Sequence, residues 1–197
     1  MIRTFLISLA LSTGLCIHTA VCQTDIMVRV ETDRGVFDLS LDSVHAPATV
    51  TNFLHYVDRG DYDGGTFFRT VTLENQPNDS VRIEVIQGGI NPQAQDVTYS
   101  PILLERTDAT GLRHFNGAIS MARSSPHSAT WSFFICIGDQ PELDFEGKRN
   151  PDGQGFAAFG KVVKGMDVVR KINTSKSAGQ SLEPPIRIRR IARITDR

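Results

Sequence analysis

From Ile26 onward, apolar and polar residues alternate in short runs, the period of half-buried strands. Residues 26–30 (Ile-Met-Val-Arg-Val) and 36–41 (Val-Phe-Asp-Leu-Ser-Leu) read as two strands, with a hairpin signal at Asp33-Arg34-Gly35 between them. The period then changes. Pro47 opens a helix in which Val50, Phe53, Leu54 and Val57 share one apolar face, and Arg59-Gly60 ends it. Strands are predicted over 66–71, 81–87, 102–105, 117–122, 133–137, 156–163 and 186–194, and a second short helix over 165–172. In the last strand Ile186, Ile188 and Ile191 alternate with Arg187, Arg189 and Arg190, giving an apolar inner face and a charged outer one. Many short strands with two helices predict a mainly-β fold, a closed antiparallel β-barrel capped by two α-helices. Repeats and low-complexity linkers are absent, so one domain is expected over residues 23–197.

The first 22 residues break this pattern. Met1-Ile2-Arg3 is a basic start, residues 4–20 are mostly apolar or small and carry no acid, and Ala20-Val21-Cys22 places small residues where a signal peptidase reads. Residues 1–22 are therefore predicted to be a cleaved secretory signal, with the mature chain periplasmic or secreted. The apolar stretch is short for a membrane span and His18 interrupts it, so no stable membrane insertion is expected after cleavage. Val21 and Leu15 precede Cys22 and Cys16, where lipid attachment needs a small residue. Cleavage leaves Cys136, inside the apolar run 133–137, which reads as a core residue. The remaining composition is ordinary: 197 residues, 40% hydrophobic and 22% charged. A net charge of −1 gives no electrostatic case for nucleic acid.

Several chemistries fail on spacing. Gly88-Gly89 is an isolated pair, and Lys161-Val162-Val163-Lys164-Gly165 lacks the spacing of a phosphate loop. His45, His55, His114 and His127 are scattered and read as surface polar residues, so no metal site is predicted. His127-Ser128 suggests a hydrolase, but a Gly-x-Ser-x-Gly elbow is missing and neighbours in sequence are poorly placed as base and nucleophile. Arg69 stands out instead. It follows Phe67-Phe68 in a strand that otherwise reads as buried, and a guanidinium is expensive to bury without a partner. It is either a surface charge or a pocket residue.

The pieces Phe67-Phe68-Arg69, Gln87-Gly88-Gly89, Gly117-Ala118-Ile119-Ser120-Met121-Ala122-Arg123, Ser128 to Ile135 and Phe159 to Met166 together resemble the cyclophilin-type peptidyl-prolyl cis-trans isomerases, over residues 28–194. Ser128-Ala129-Thr130 is similar to the bacterial branch, and with the leader it points to an exported member. The resemblance implies an eight-stranded barrel with a peptide groove on its outer face. It implies isomerisation of Xaa-Pro bonds in unfolded or flexible polypeptides, assisting the folding of exported proteins, without a cofactor and as a monomer.

It also implies site roles. Arg69 is the catalytic side chain. Phe134 and Leu143 form the proline seat, Gln87 holds Arg69 and a substrate carbonyl, and Ala122 and Arg123 offer main chain to an extended peptide. Ser132 stands where the family has a groove glutamine, Phe156 where it has a histidine, Phe68 where it has the histidine before the arginine, and Glu142 where it has a tryptophan. The family's pocket-floor aromatic falls on Glu84. Period two puts Ile83, Val85 and Gln87 on one face and Glu84 on the other, so a local bulge seating Ile83 or Val85 is expected. Segments 72–80 and 144–155 are insertions flanking the pocket. A proline-peptide binding or holdase module with little turnover is the alternative that Ser132 and Glu84 leave open.

Overall fold

The computed structural model describes residues 25–94 and 100–195. The predicted leader, with Cys16 and Cys22, lies outside them. In chain order the elements are β1 (Ile26–Thr32), β2 (Gly35–Leu41), α1 (Pro47–Arg59), β3 (Thr66–Val71), β4 (Val85–Gly89), α2 (Thr107–Thr110), β5 (Ala118–Met121), β6 (Phe133–Cys136), β7 (Ala157–Lys164), α3 (Met166–Asn173), β8 (Ser177–Ala178) and β9 (Ser181–Arg193). The strands pair in the order β1-β2-β7-β5-β6-β4-β3-β9, and β9 returns to β1, so eight antiparallel strands close into a barrel without a free edge. The two-residue β8 extends β9 as a hairpin.

Strand alternation fills the interior. Val28 and Val30 of β1 and Phe37, Leu39 and Leu41 of β2 point inward and are fully buried. α1 and α3 cover this core with the apolar stripes their spacing predicts. Phe53 of α1 packs its ring 5.3 Å from Tyr62, 5.5 Å from Phe133 and 5.3 Å from Phe159. Val168, Val169 and Ile172 do the same for α3. Gly60 ends α1 in the left-handed conformation, at φ 74°, that glycine adopts at least strain.

Along β4, β5 and β6 the alternation feeds two separate apolar clusters. Ile86, Ile119, Phe133 and Ile135 belong to the barrel interior. Val85, Ala118, Phe134 and Cys136, the next residues along, belong to a smaller cluster on the other side of the wall, with Val71, Ile83 and Leu143. That outer cluster is the floor of the site.

Four expectations need revision. Residues 81–84 precede β4 without joining its ladder, and of residues 102–105 only Ile102 makes a bridge, to Ala129. β9 starts at Ser181, five residues before the predicted strand, because Pro184-Pro185 is accommodated where its pairing with β3 jumps from Phe67↔Ile186 to Arg69↔Ser181. α2, a helix of four residues, is an unpredicted third helix beside the two that cap the barrel.

Candidate active site

The bulge lies in β3, not near Glu84. Phe67 pairs with Gly88 and Arg69 with Gln87, so Phe68 is an extra residue with no partner in β4. Simple alternation would send Arg69 to the same side as Phe67, into the barrel interior. The extra residue reverses it: Phe67 stays in the interior, while Val71, two residues beyond Arg69, joins the outer cluster. β4 keeps unbroken register with β6, from Val85↔Cys136 to Gly88↔Phe133. Ordinary alternation therefore suffices to bring Ile83, Val85 and Gln87 to the cavity wall and keep Glu84 off it. Burial, helped by Glu74, holds the Glu84 carboxyl above its usual value.

Arg69, Val85, Gln87, Ala122, Arg123, Phe134, Leu143 and Phe156 all border one cavity on the outer face of the barrel. Its floor is apolar, built from Val85, Phe134 and Leu143, which are at most 5% exposed. The Phe156 ring stands edge-on to Phe134 at 5.2 Å. Ser132 is not on the wall. Its hydroxyl accepts a hydrogen bond from Gln87 Nε2 at 3.0 Å and donates to the Gly88 carbonyl at 3.2 Å, fixing the Gln87 amide.

The Arg69 guanidinium is held by uncharged groups. Nη1 donates to Gln87 Oε1 at 2.9 Å, and Nε and Nη2 donate to Gln180 Oε1 at 2.9 and 2.6 Å. Burial, and secondarily the nearby Arg149 charge, hold it below the ordinary arginine value. Gln180 sits in the β8–β9 turn, which the bulge opposite Phe68 brings alongside Arg69. Sequence reading missed Gln180, and the only local signal was a Gly179-Gln180 turn hidden before the two prolines.

Arg123 is arranged differently. Its side chain is 2% exposed, salt-bridged to Asp152 at 2.7 Å, bonded to the Gly155 carbonyl at 2.8 Å, and stacked over Phe156. The residue as a whole is half-exposed, so its main chain is what faces the cavity.

The two insertions meet at this site. Asn75 and Gln76 fold the first, and Gln76 bonds both the Thr72 and Ile83 carbonyls. The second sends Arg149 and Asn150 to the cavity wall. Arg149 Nη1 lies 3.0 Å from Asp79 of the first insertion and donates to the Val81 carbonyl at 2.7 Å. Glu142 is not on the cavity wall; its carboxylate folds into this loop, accepting from Lys148 N at 2.8 Å.

His114 is not a surface residue. It is buried, with Nδ1 2.7 Å from Asp144, Nε2 2.9 Å from the Ser120 hydroxyl, and its ring stacked on Phe134. This Ser-His-Asp chain is sealed beneath the seat, with Ser120 fully buried, and so buttresses Phe134 where no substrate reaches. The His127-Ser128 pair is also unsuited to hydrolysis. His127 Nδ1 accepts from Leu104 N, while Ser128 closes a turn onto Ser124 and Ser125. Cys136 is buried, and burial pushes its thiol far above the ordinary value, which leaves it inert.

Residues 27–193 match the family model for cyclophilin type peptidyl-prolyl cis-trans isomerases. The chain is 38% identical over 162 residues to peptidyl-prolyl cis-trans isomerase cyp18 of Streptomyces antibioticus, covering 80% of this chain and 90% of the relative. It is 36% identical over 148 residues to peptidyl-prolyl cis-trans isomerase B of Escherichia coli, covering 74% and 83%. The fold superposes on a cyclophilin-type isomerase of Cryptosporidium parvum with a TM-score of 0.70 at 20% identity, over 88% of this chain and 99% of the other. A second structure of that protein, in the presence of the dipeptide Ala-Pro, gives 0.69 at 21% identity, over 86% and 99%.

Proposed function

The chain belongs to the cyclophilin-type peptidyl-prolyl cis-trans isomerase family, and from that premise we propose that the Arg69 cavity turns Xaa-Pro bonds in flexible segments of exported proteins. The enzyme class itself rests on the family model and the relatives. The export context rests on residues 1–22 read as a leader; on this proposal the mature chain acts in the periplasm or outside the cell, and we take it to act as a monomer.

The observation that carries the site assignment is a half-buried guanidinium beside an apolar floor, its hydrogen-bond partners among the described residues all neutral amides. Rotation about a peptide bond breaks amide resonance, a barrier of about 18–20 kcal/mol. At the crest the prolyl nitrogen is pyramidal and carries a free lone pair. In the planar ground state that lone pair is delocalised and accepts little. A hydrogen bond from Arg69 therefore stabilises the twisted form selectively, and each 1.4 kcal/mol or so of that preference gives about tenfold in rate. Arg69 has five N–H groups, of which three are taken by Gln87 and Gln180 among the described residues. A carboxylate partner would have satisfied the charge and dulled it. The amides instead aim it.

Val85, Phe134 and Leu143 seat the proline ring, with Phe156 as a wall. The residues before the proline pair with the exposed main chain at Ala122 and Arg123. No covalent bond forms or breaks and no proton need move, so the chemistry calls for no cofactor. The test is isomerisation of a short Xaa-Pro peptide. Arg69→Ala should lower kcat/KM by about 10²–10³, the loss seen when one such donor is removed, with peptide binding kept. Wild-type rates no faster than buffer would overturn the site assignment.

A further inference from the structure

Three arginines border the cavity, Arg69, Arg123 and Arg149, and among the described residues no carboxylate does. Two of them have counterions set back from the wall. Asp152 takes both terminal nitrogens of Arg123, at 2.7 and 2.9 Å. Asp79 lies 3.0 Å from Nη1 of Arg149, the same nitrogen that donates to Val81. Nε and Nη2 of Arg149 make no hydrogen bond among the described residues, though the side chain is only 17% exposed. Next to it on the wall, Asn150 Nδ2 is buried without a hydrogen-bond partner. One unmet buried amide donor beside two guanidinium nitrogens that make no hydrogen bond calls for an acceptor, best one with a negative charge.

Position within the groove says where that charge belongs. Gln87 lies at the centre of β4, hydrogen-bonded to Ser132, whose carbonyl accepts from Ala122 N at 2.8 Å. Arg149 lies beyond the Val85 end of β4, bonded to the Val81 carbonyl, on the same cavity wall as Val85, Phe134 and Leu143. A peptide whose residues before the proline pair at Ala122 and Arg123 therefore directs the residue after the proline toward Arg149.

Resting on the isomerase reading of this groove, we infer that Arg149 is a specificity-determining residue that selects prolines followed by aspartate or glutamate. A carboxylate there meets the free edge of the guanidinium, and a small rotation of the Asn150 amide adds a second donor. Asp79 competes for the same cation and tempers the preference.

The experiment compares peptides differing only in Glu or Gln directly after the proline, and a second pair with Glu or Gln directly before it. Each is measured for kcat/KM and, by calorimetry, for binding. In low salt the Glu/Gln ratio after the proline should be about tenfold and should shrink as salt screens it. It should fall to near one in Arg149→Gln and rise in Asp79→Asn. Because each ratio is taken within one protein preparation, partial misfolding of a variant cancels. A wild-type ratio near one, a ratio unchanged in Arg149→Gln, or an equal preference before the proline would overturn the inference. Turnover without preference removes this inference and leaves the isomerase reading standing. A Glu preference in binding without turnover does the reverse.

Discussion

Arg69 ends three of its hydrogen bonds on two side-chain oxygens, and one of them belongs to a residue 111 positions away. Gln180 is a positioning residue for the guanidinium. Gln180→Leu keeps the bulk and removes the acceptor for both Nε and Nη2. A hydrogen bond to a charged group contributes about 1.5–3 kcal/mol, so kcat/KM should drop by about tenfold to a hundredfold, carried by kcat with KM little changed. A purely structural role would instead lower Tm and leave the catalytic constants of the folded fraction alone. Arg69 and Gln87 were readable from sequence because short motifs surround them. Gln180 was not, since its role exists only where β9 folds back on β3. His114 was misread for the same reason. Its partners are 30 and 6 residues away, and a lone histidine carries no mark of burial.

At the scale of elements, alternation was enough to foresee the barrel, since Val28 and Val30 of β1 and Phe37, Leu39 and Leu41 of β2 enter the core as the pattern predicts, although Asp38 and Ser40 between them are buried too. It failed where backbone irregularity decides the face. The bulge at Phe68 leaves no trace in the apolar pattern, and Pro184-Pro185 masked the start of β9. The second insertion is held to the groove by Arg123, whose hydrogen bonds are the main reason the Asp152 carboxyl sits at about 2. A carboxyl depressed on folding contributes stability above its ordinary value near 4 and loses it as pH falls toward 2. Peptide affinity should thus be flat from about pH 5 to 8. Below about pH 4, segment 144–155 should gain faster amide exchange, and Asp152→Asn should show that exchange at neutral pH. Equal exchange in wild type and Asp152→Asn would show that Gly155 and Phe156 alone hold Arg123.

For the molecule as a whole, the described residues carry the match to the isomerase family, and the export proposal rests on the reading of residues 1–22 as a leader. Expressed in a bacterium as the full chain, the protein should be recovered outside the cytoplasm with an N-terminus near Gln23. N-terminal sequencing of the fractionated protein checks this, and a cytoplasmic product that keeps Met1 would sink it.

The wall shared by β4, β5 and β6 keeps two apolar clusters apart, and this bears on how such a protein changes over generations. A substitution on the outer face meets peptide or solvent, and leaves the close-packed interior with no void to tolerate. Phe156, Ser132 and Glu142, three of the departures from the family's pattern, stand on or beside that outer face, whereas Phe53, Phe133 and Phe159 hold the inside. Drift in client preference is thereby uncoupled from the capacity to fold. A lineage can exchange loops such as 72–80 and 144–155 and explore new proline contexts while the barrel that carries them stays under its own, separate selection.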